Sequence, residues 1–418
     1  MHIIQHPYDA PWIYLDGRRD SSMNHKQAIG RRIDQHRDEL IEVSTRIHGE
    51  PELGHQEHMA SRLLVEKLKS HGYETRLGVS GMDTAFTATI RGRGAGPNIG
   101  ILAEYDALPA IGHACGHNLI AATALGAAVG LTAVIPELDG TVTVYGTPAE
   151  EGVVQNAGGK VVMLDEIAGA DAALMIHPGS AWGSYGTSNA RESFLVEFQG
   201  RSSHAGAAPE KAVNALEGVL LTFQGINALR QHIENDVRIH GIIKRGGDSP
   251  NTIPDYASAH LYVRAPTMPR LEENYAKVKN IVKGAELATG ARSRIIQVAN
   301  TYANRLPNKT LSDLYRRNIA IESVEYPEET EPTRSGASTD FGNVSQLMPA
   351  LSARVNIGDV VLHSPDGAEM TATPQAHEAI IKAAKALAYT ALDLITRPEL
   401  LKKAKEEHKT WLERQASP

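Results

Sequence analysis

Three residues with metal-binding side chains crowd into five positions of the segment GHACGHNLI (112–120): His113, Cys115 and His117. Cys115 is the single cysteine of the chain, so it has no internal partner for a disulfide. A thiolate between two imidazoles offers the soft and borderline donors that suit zinc and related divalent ions. The same trio also fits plain packing, and a metal site needs further ligands from elsewhere in the chain. Candidates recur just past apolar runs: Glu104 and Asp106 after 99–103, Glu150 and Glu151 after 141–145, His177 after 172–176 and His363 after 360–362. Taken singly, paired glutamates fit a solvated face, and histidines before Pro178 or Ser364 fit turns. Their joint placement past candidate strands points to one site, because ligands gather at the carboxyl ends of strands in open α/β sheets.

Such a set suits two divalent ions about 3.5–4 Å apart that share an anionic ligand, with a spare carboxylate beside the water they activate. Adjacent Glu150 and Glu151 allow that division, since one can ligate metal while the other faces the water. A carboxylate placed there can take the water's proton as it attacks a carbonyl and pass it to a leaving amine. The reaction implied is hydrolysis of an amide.

These groups need elements to hold them. Ile29, Ile33, Leu40 and Ile47 recur at near-heptad spacing, which predicts an amphipathic helix up to the break at 49–51. Met59, Leu63, Leu64 and Leu68 predict a second helix that stops at Gly72. Phe86, Ala88 and Ile90 alternate with threonines as in a strand. The glycine-rich RGRGAGPNIG runs into the strand at 99–103 instead of opening a helix, so it reads as a hairpin or connecting loop and not as a phosphate cradle. From 192 to 300 the rhythm is strand, helix, strand, strand, helix, strand, a ferredoxin-like βαββαβ unit. Its position between His177 and His363 makes the metal-site domain discontinuous. The charged tail from Arg397 predicts a solvated terminal helix.

At 418 residues the chain exceeds one ordinary core, so two or three domains are expected. A net charge of −7 without a basic stripe argues against nucleic acid. The first twenty residues lack the continuous apolar core of a signal peptide. The uncharged run 119–135 is alanine-rich and falls short of the roughly 18 apolar residues of a membrane span, so a buried helix is expected. No membrane partner and a cytoplasmic location follow, and one reduced cysteine fits that compartment.

HACGH, followed in order by PAEEG, HPG, SSHAG, NTIP and LHSP, resembles the dinuclear metallopeptidase family of aminoacylases, hippurate and auxin-conjugate hydrolases and glutamate carboxypeptidase. The likeness runs from His25 to Ile395. AEYDALP, with STDFGN around Asp340, most resembles the branch containing aminobenzoyl-glutamate hydrolase and the β-alanyl dipeptidases. The resemblance implies an α/β fold with a mixed-sheet catalytic domain, helices on both faces, and an inserted ferredoxin-like lid and dimerisation domain. The boundaries are 1–190 with 304–418 for the catalytic domain, and 191–303 for the insert.

It also implies Cys115 as a bridge between two metals, with His117, Glu151, His177 and His363 completing the ligands. The ions are zinc foremost, with manganese or cobalt as alternatives. Glu150 is the implied general base and acid, and Asp106 a carboxylate that steadies a ligand. Relatives with a His-x-Asp motif bind metal through its histidine. Glu104 stands in that place here, so the task passes to His117, while His113 lies nearby without binding metal. His204 matches a histidine that reaches across a homodimer to stabilise the oxyanion of the partner's site. Asn251 and Arg264 match residues that hold the free carboxylate of an N-acyl amino acid or dipeptide.

Two other classes share some of these features. A cysteine-nucleophile hydrolase would use Cys115 but leaves Glu150, Glu151, His177 and His363 without a task. A non-catalytic metal- or ligand-binding protein has no need of the spare carboxylate of Glu150. The serine-hydrolase pattern GxSxG does not occur.

Overall fold

Residues 99–103, 142–146 and 172–176 are buried without interruption, so both pleat faces of these segments must be covered. The computed structural model describes residues 18–416, with side chains from 22 to 415. The reading of the first twenty residues as lacking a signal peptide therefore lies outside the described side chains.

The chain opens with α1 (Arg18–Gln35) and α2 (Arg37–Gly49) where the apolar spacing suggested one helix. The backbone leaves the helical region at His36 (φ −107°, ψ 13°), yet Ile29, Ile33, Leu40 and Ile47 are all buried. Then come α3 (His58–Ser70), β1 (Glu74–Leu77), β2 (Phe86–Arg91), β3 (Gly94–Ala103), α4 (His117–Leu131), β4 (Asp139–Gly146), α5 (Gly159–Val162), α6 (Leu164–Ile167) and β5 (Ala172–Gly179). A short β6 (Gly186–Thr187) leads into β7 (Ala190–Gln199), α7 (Ala215–Leu229), β8 (Arg238–Arg245), β9 (Tyr256–Ala265), α8 (Met268–Thr289) and β10 (Arg292–Gln297). The chain returns through α9 (Lys309–Ala320), β11 (Thr333–Arg334), α10 (Phe341–Leu347), β12 (Ala350–Asn356), α11 (Pro365–Met370), α12 (Pro374–Thr396) and α13 (Pro398–Ala416).

The larger sheet has the order β1-β2-β4-β3-β5-β12. β4, β3, β5 and β12 run parallel, and β2 runs against its neighbours. β4 lies on one side of β3 and β5 on the other, so the strand order reverses at β3 and leaves a crevice past its carboxyl end. β2 and β3 both pair with β4, which excludes a hairpin at RGRGAGPNIG; only Gly92 and Arg93 link the two strands, while Gly94–Gly100 belong to β3, whose pairing with β4 shifts register between Gly94 and Asn98. All fifteen residues of α4 are buried, between β3, β4 and β5 on one side and α2 and α12 on the other. No described helix is long and apolar enough to cross a membrane.

The smaller sheet, β10-β7-β9-β8, is antiparallel throughout and carries α7 and α8. Its core is its own, built on Phe194, Val196, Phe198, Leu261, Val263 and Val278. Two further expectations need correction. Residues 360–362 form no strand; they lie in the loop between β12 and α11, with Val361 exposed. The tail is not a free solvated helix either, since α13 buries Leu401 and Ala404 and its Glu407 caps α9 by accepting from the Thr310 amide at 2.9 Å.

A buried charge cluster joins three helices of the larger unit. Lys26 Nζ of α1 donates to Asp393 Oδ2 of α12 and to Asn318 Oδ1 of α9, each at 2.7 Å. Removing one partner of such a pair leaves an uncompensated charge in the interior. Lys26→Met is therefore expected to cost roughly 3 kcal/mol in urea unfolding, and adding Asp393→Leu to recover much of it. A loss below about 0.5 kcal/mol would show that the pair carries little of the packing of α1.

Candidate metal centre

The carboxyl ends of β3, β4 and β5 deliver acids and imidazoles to one place. β3 ends at Ala103 and is followed by Glu104, Tyr105 and Asp106, all fully buried. The chain then turns through His113–Gly116 into α4. Gly116 holds φ +81°, a conformation that resists a side chain, and a Cβ there would lie 2.7 Å from Pro178 Cγ. This turn sets Cys115 and His117 beside His177 in β5. Cys115 Sγ is 3.5 Å from His177 Nε2 and 3.3 Å from His363 Nε2.

Cys115 belongs to two groups of donors whose ligand atoms all lie within 4.8 Å of one another, one with His117 and His177, the other with Glu151 and His363. His117, Glu150 and Glu151 form a further group. All five expected ligands thus converge, with Cys115 common to both ends. His363 arrives from a loop, not a strand end. Its φ is +62°, and its amide is held by Ala114 O at 3.0 Å, next to Cys115. His113 joins no such group; burial, with His117 beside it, pushes it down to about 3.

Asp106 links two of these residues. Its Oδ1 lies 2.9 Å from His117 Nδ1 and its Oδ2 accepts the Glu151 amide at 2.9 Å. A histidine bound on one nitrogen by a carboxylate presents the other nitrogen outward, the arrangement that second partners impose on metal ligands. His117 Nε2 and Glu151 Oε1 are buried without a hydrogen-bond partner. Five carboxylates, those of Glu104, Asp106, Glu150, Glu151 and Asp340, are buried around one buried lysine, Lys160, so the site is short of positive charge. Burial, and the carboxylates of Glu104 and Glu151, push the Glu150 carboxyl well above its usual range. Burial, with Glu151 adjacent, likewise pushes the Cys115 thiol up. Orphaned donors, a soft sulfur and excess buried anions are what divalent ions would satisfy, so the residues fit such ions.

Of the residues that hold this arrangement, Lys160, Glu57 and Tyr302 have no sequence signal of their own. Glu104 joins no donor group with Cys115; its Oε2 lies 3.5 Å from His117 Nε2 and its Oε1 pairs with Lys160 Nζ at 2.6 Å, and Lys160 also pairs with Asp340 at 2.6 Å. Glu57 accepts the amide of Ala149 at 2.8 Å, fixing the residue before Glu150 at φ +55°. Burial and the nearby Asp106 push Glu57 up to about 7. Tyr302 donates its hydroxyl to the Glu150 carbonyl at 2.6 Å. The aromatic and charged residues of the returning segment gave no periodic pattern, so only the fold brings them in.

The remaining expected residues lie on the smaller sheet and its loops. Arg264 lines the cavity that opens onto Glu150, Glu151, His177 and His363, and donates to Ser338 Oγ at 2.9 Å. His204 and Asn251 are together, with His204 Nε2 3.2 Å from Asn251 Nδ2, but both are exposed and neither lines that cavity.

The sequence matches the model of a peptidase dimerisation domain over residues 190–289. Over 406 residues it is 37% identical to the Xaa-Arg dipeptidase of Mus musculus, covering 93% of each chain. The chain belongs to the M20 peptidase family. Within it, a p-aminobenzoyl-glutamate hydrolase chain of Escherichia coli is 27% identical, over 90% of this chain and 93% of that one. The fold agrees with a solved Bacillus subtilis structure described as a dinuclear metal-binding peptidase of the M20 family, at a TM-score of 0.64 and 20% identity over 87% of this chain and 99% of that one. As an M20 member the chain is a metallopeptidase or amidohydrolase.

Asp106→Asn keeps the shape of the side chain but removes its charge. It is expected to leave the fold intact and weaken zinc binding about 10–100-fold, measured by competition with a chromogenic chelator. An unchanged affinity would detach Asp106 from the site.

Proposed function

We propose that this chain is a metal-dependent amidohydrolase that cleaves the amide bond of an N-acyl amino acid or dipeptide bearing a free carboxylate. The observation that carries this reading is the convergence of Cys115, His117, Glu151, His177 and His363 around a cysteine common to two donor groups, with the spare carboxyl of Glu150 beside them. Those five residues would hold two divalent ions, zinc foremost and manganese or cobalt as alternatives. When bound, such ions polarise an amide carbonyl and lower the pKa of water.

The work of the chain itself is to place and move protons. Glu150 takes a proton from the attacking water and returns it to the leaving nitrogen, and a raised carboxyl pKa suits a group that must both accept and donate near neutral pH. Its backbone is pinned by Tyr302 and, one residue earlier, by Glu57, so the carboxyl is aimed before substrate arrives. Asp106 orients His117. Arg264, with Asn251, holds the free carboxylate, and His204 stabilises the oxyanion. Because His204 and Asn251 are exposed and outside the cavity of their own chain, they serve the site of a second copy in a homodimer formed through the insert. The matched dimerisation domain supports that assembly. On this reading 1–190 and 304–418 form the catalytic domain, 191–303 the insert, and the enzyme works in the cytoplasm.

A cysteine nucleophile is less well supported, since a thiol pushed up by burial beside Glu151 is a poor source of thiolate. The relatives' names cover leaving groups of both charges, arginine in the mouse enzyme and glutamate in the bacterial one.

Glu150→Gln should bind metal as the parent does while turnover of N-acyl amino acids falls by at least about a hundredfold. Undiminished turnover would remove Glu150 as base. Exhaustive chelation should abolish activity and zinc, manganese or cobalt restore it; activity that survives chelation favours the cysteine route. Cys115→Ser should fold but lose at least one equivalent of metal by elemental analysis, and full retention of both would exclude the bridge.

A further inference from the structure

Away from the strand ends, a second set of metal-binding side chains meets where two helix termini come together. His36 stands at the break between α1 and α2, with its backbone out of the helical region. Glu39 follows three residues later in the first turn of α2, so the two side chains share a face. His71 closes α3, where its amide donates to Lys67 O at 3.2 Å and to Leu68 O at 3.1 Å. Glu39 Oε2 lies 3.0 Å from His36 Nδ1 and 3.0 Å from His71 Nε2. The two imidazoles meet edge to face, with centroids 4.7 Å apart and planes at 90°. One ligand atom from each of the three residues lies within 4.8 Å of the other two. None of these residues lines the cavity at Glu150.

Two features separate this cluster from a solvated ion pair, whose side chains are free to move. The His71 side chain is 7% exposed and that of Glu39 20%, so packing of α2 against α3 holds both in place. Both imidazoles also aim a ring nitrogen at the same oxygen. As hydrogen bonds, the two contacts need a proton on each of those nitrogens, because an ionised carboxylate only accepts. Burial would raise the Glu39 carboxyl, but hydrogen bonds from His71 and Lys67 hold it below its usual range and keep it anionic. An anionic oxygen flanked by two imidazole nitrogens is equally a zinc ligand set. Bonds of roughly 2.0–2.2 Å place the ligand atoms of a tetrahedral zinc about 3.3 Å apart, so the two contacts would open by only about 0.3 Å. Lys67 Nζ is the competing cation, 3.2 Å from the other oxygen, Oε1, which leaves Oε2 to the imidazoles.

We propose that His36, Glu39 and His71 form a further divalent-metal site, suited to zinc, with solvent in the fourth position. Coordination leaves each imidazole neutral with its proton on the opposite ring nitrogen, and any second proton passes to solvent. The ion ties the α1–α2 break to the end of α3, a structural task separate from the chemistry at Cys115.

The test counts zinc by elemental analysis in the full-length enzyme after equilibrium dialysis against micromolar free zinc. The parent should hold one equivalent more than His71→Ala, whatever the occupancy at Cys115, and Glu39→Gln should show the same deficit. His36→Gln alters the most exposed of the three ligands and guards against misfolding; it should fold and lose the same equivalent. All three variants should keep kcat/KM for N-acyl amino acids within about twofold of the parent, and Cys115→Ser should retain this equivalent. Lys67→Gln should tighten the site by about threefold or more, because it removes a cation beside the carboxylate. Zinc should raise the melting temperature of the parent more than that of His36→Gln. Equal zinc in the parent and the three ligand variants overturns the assignment and makes any extra equivalent surface zinc bound elsewhere. Looser binding in Lys67→Gln, or an equal zinc-dependent rise in melting temperature in parent and His36→Gln, also overturns it.

Discussion

Concentrating buried carboxylates at one edge of a sheet is the constraint on which this structure turns. Glu104, Asp106, Glu150, Glu151 and Asp340 are out of solvent, and like charges so placed raise one another's pKa and repel. One internal cation offsets part of this. Lys160 stands between Glu104 and Asp340, and burial alone would lower it, but those two acids hold it well above its usual value. Burial would also lower His117, yet Asp106 and the Cys115 sulfur raise it well above the ordinary imidazole range. What stays unneutralised is the half of the cluster at Cys115, Glu150 and Glu151. The lysine occupies the end of the cluster at Glu104 and Asp340.

The sheet topology explains why this end can be open. The order reverses at β3, so the segments after β3, β4 and β5 diverge around a crevice instead of covering one another. Neutralisation from outside is possible only where the backbone leaves room. The tight turn at Gly116 then brings a cysteine and a histidine from the start of α4 back over the strand ends, and α4 itself is anchored on every side by burial.

The sequence made the strand-end acids and imidazole legible because Glu104, Asp106, Glu150, Glu151 and His177 each follow an apolar run within a few residues, a local pattern that needs no knowledge of contacts. The smaller sheet was legible for the same reason, as alternating Phe194, Val196 and Phe198 and a helix on Val278 and Val282 survive as a core. His363 was found by motif but mislocated, since the run before it is exposed loop, and a left-handed φ leaves no mark in hydropathy. The break at His36 was missed because apolar spacing continues across it. Glu57, Lys160, Tyr302 and Arg191 act through partners 92 to 180 residues away or across the two sheets, so their roles exist only once the chain has folded.

The joint between the sheets ties these levels together. The chain enters the smaller sheet at Arg191 and returns from it at Tyr302, and the two exchange backbone hydrogen bonds, Arg191 N to Tyr302 O at 2.8 Å and Tyr302 N to Arg191 O at 3.0 Å. The Tyr302 hydroxyl in turn holds the Glu150 carbonyl. A clasp at the crossing of two connections is the point that moves least if the smaller sheet rotates. Residues at the clasp therefore keep a fixed relation to the carboxylate cluster, while those far from it, such as His204 and Asn251, move most. The Arg191 guanidinium, stacked 3.9 Å from the Tyr302 ring, is thus held by the same tyrosine that fixes the Glu150 carbonyl.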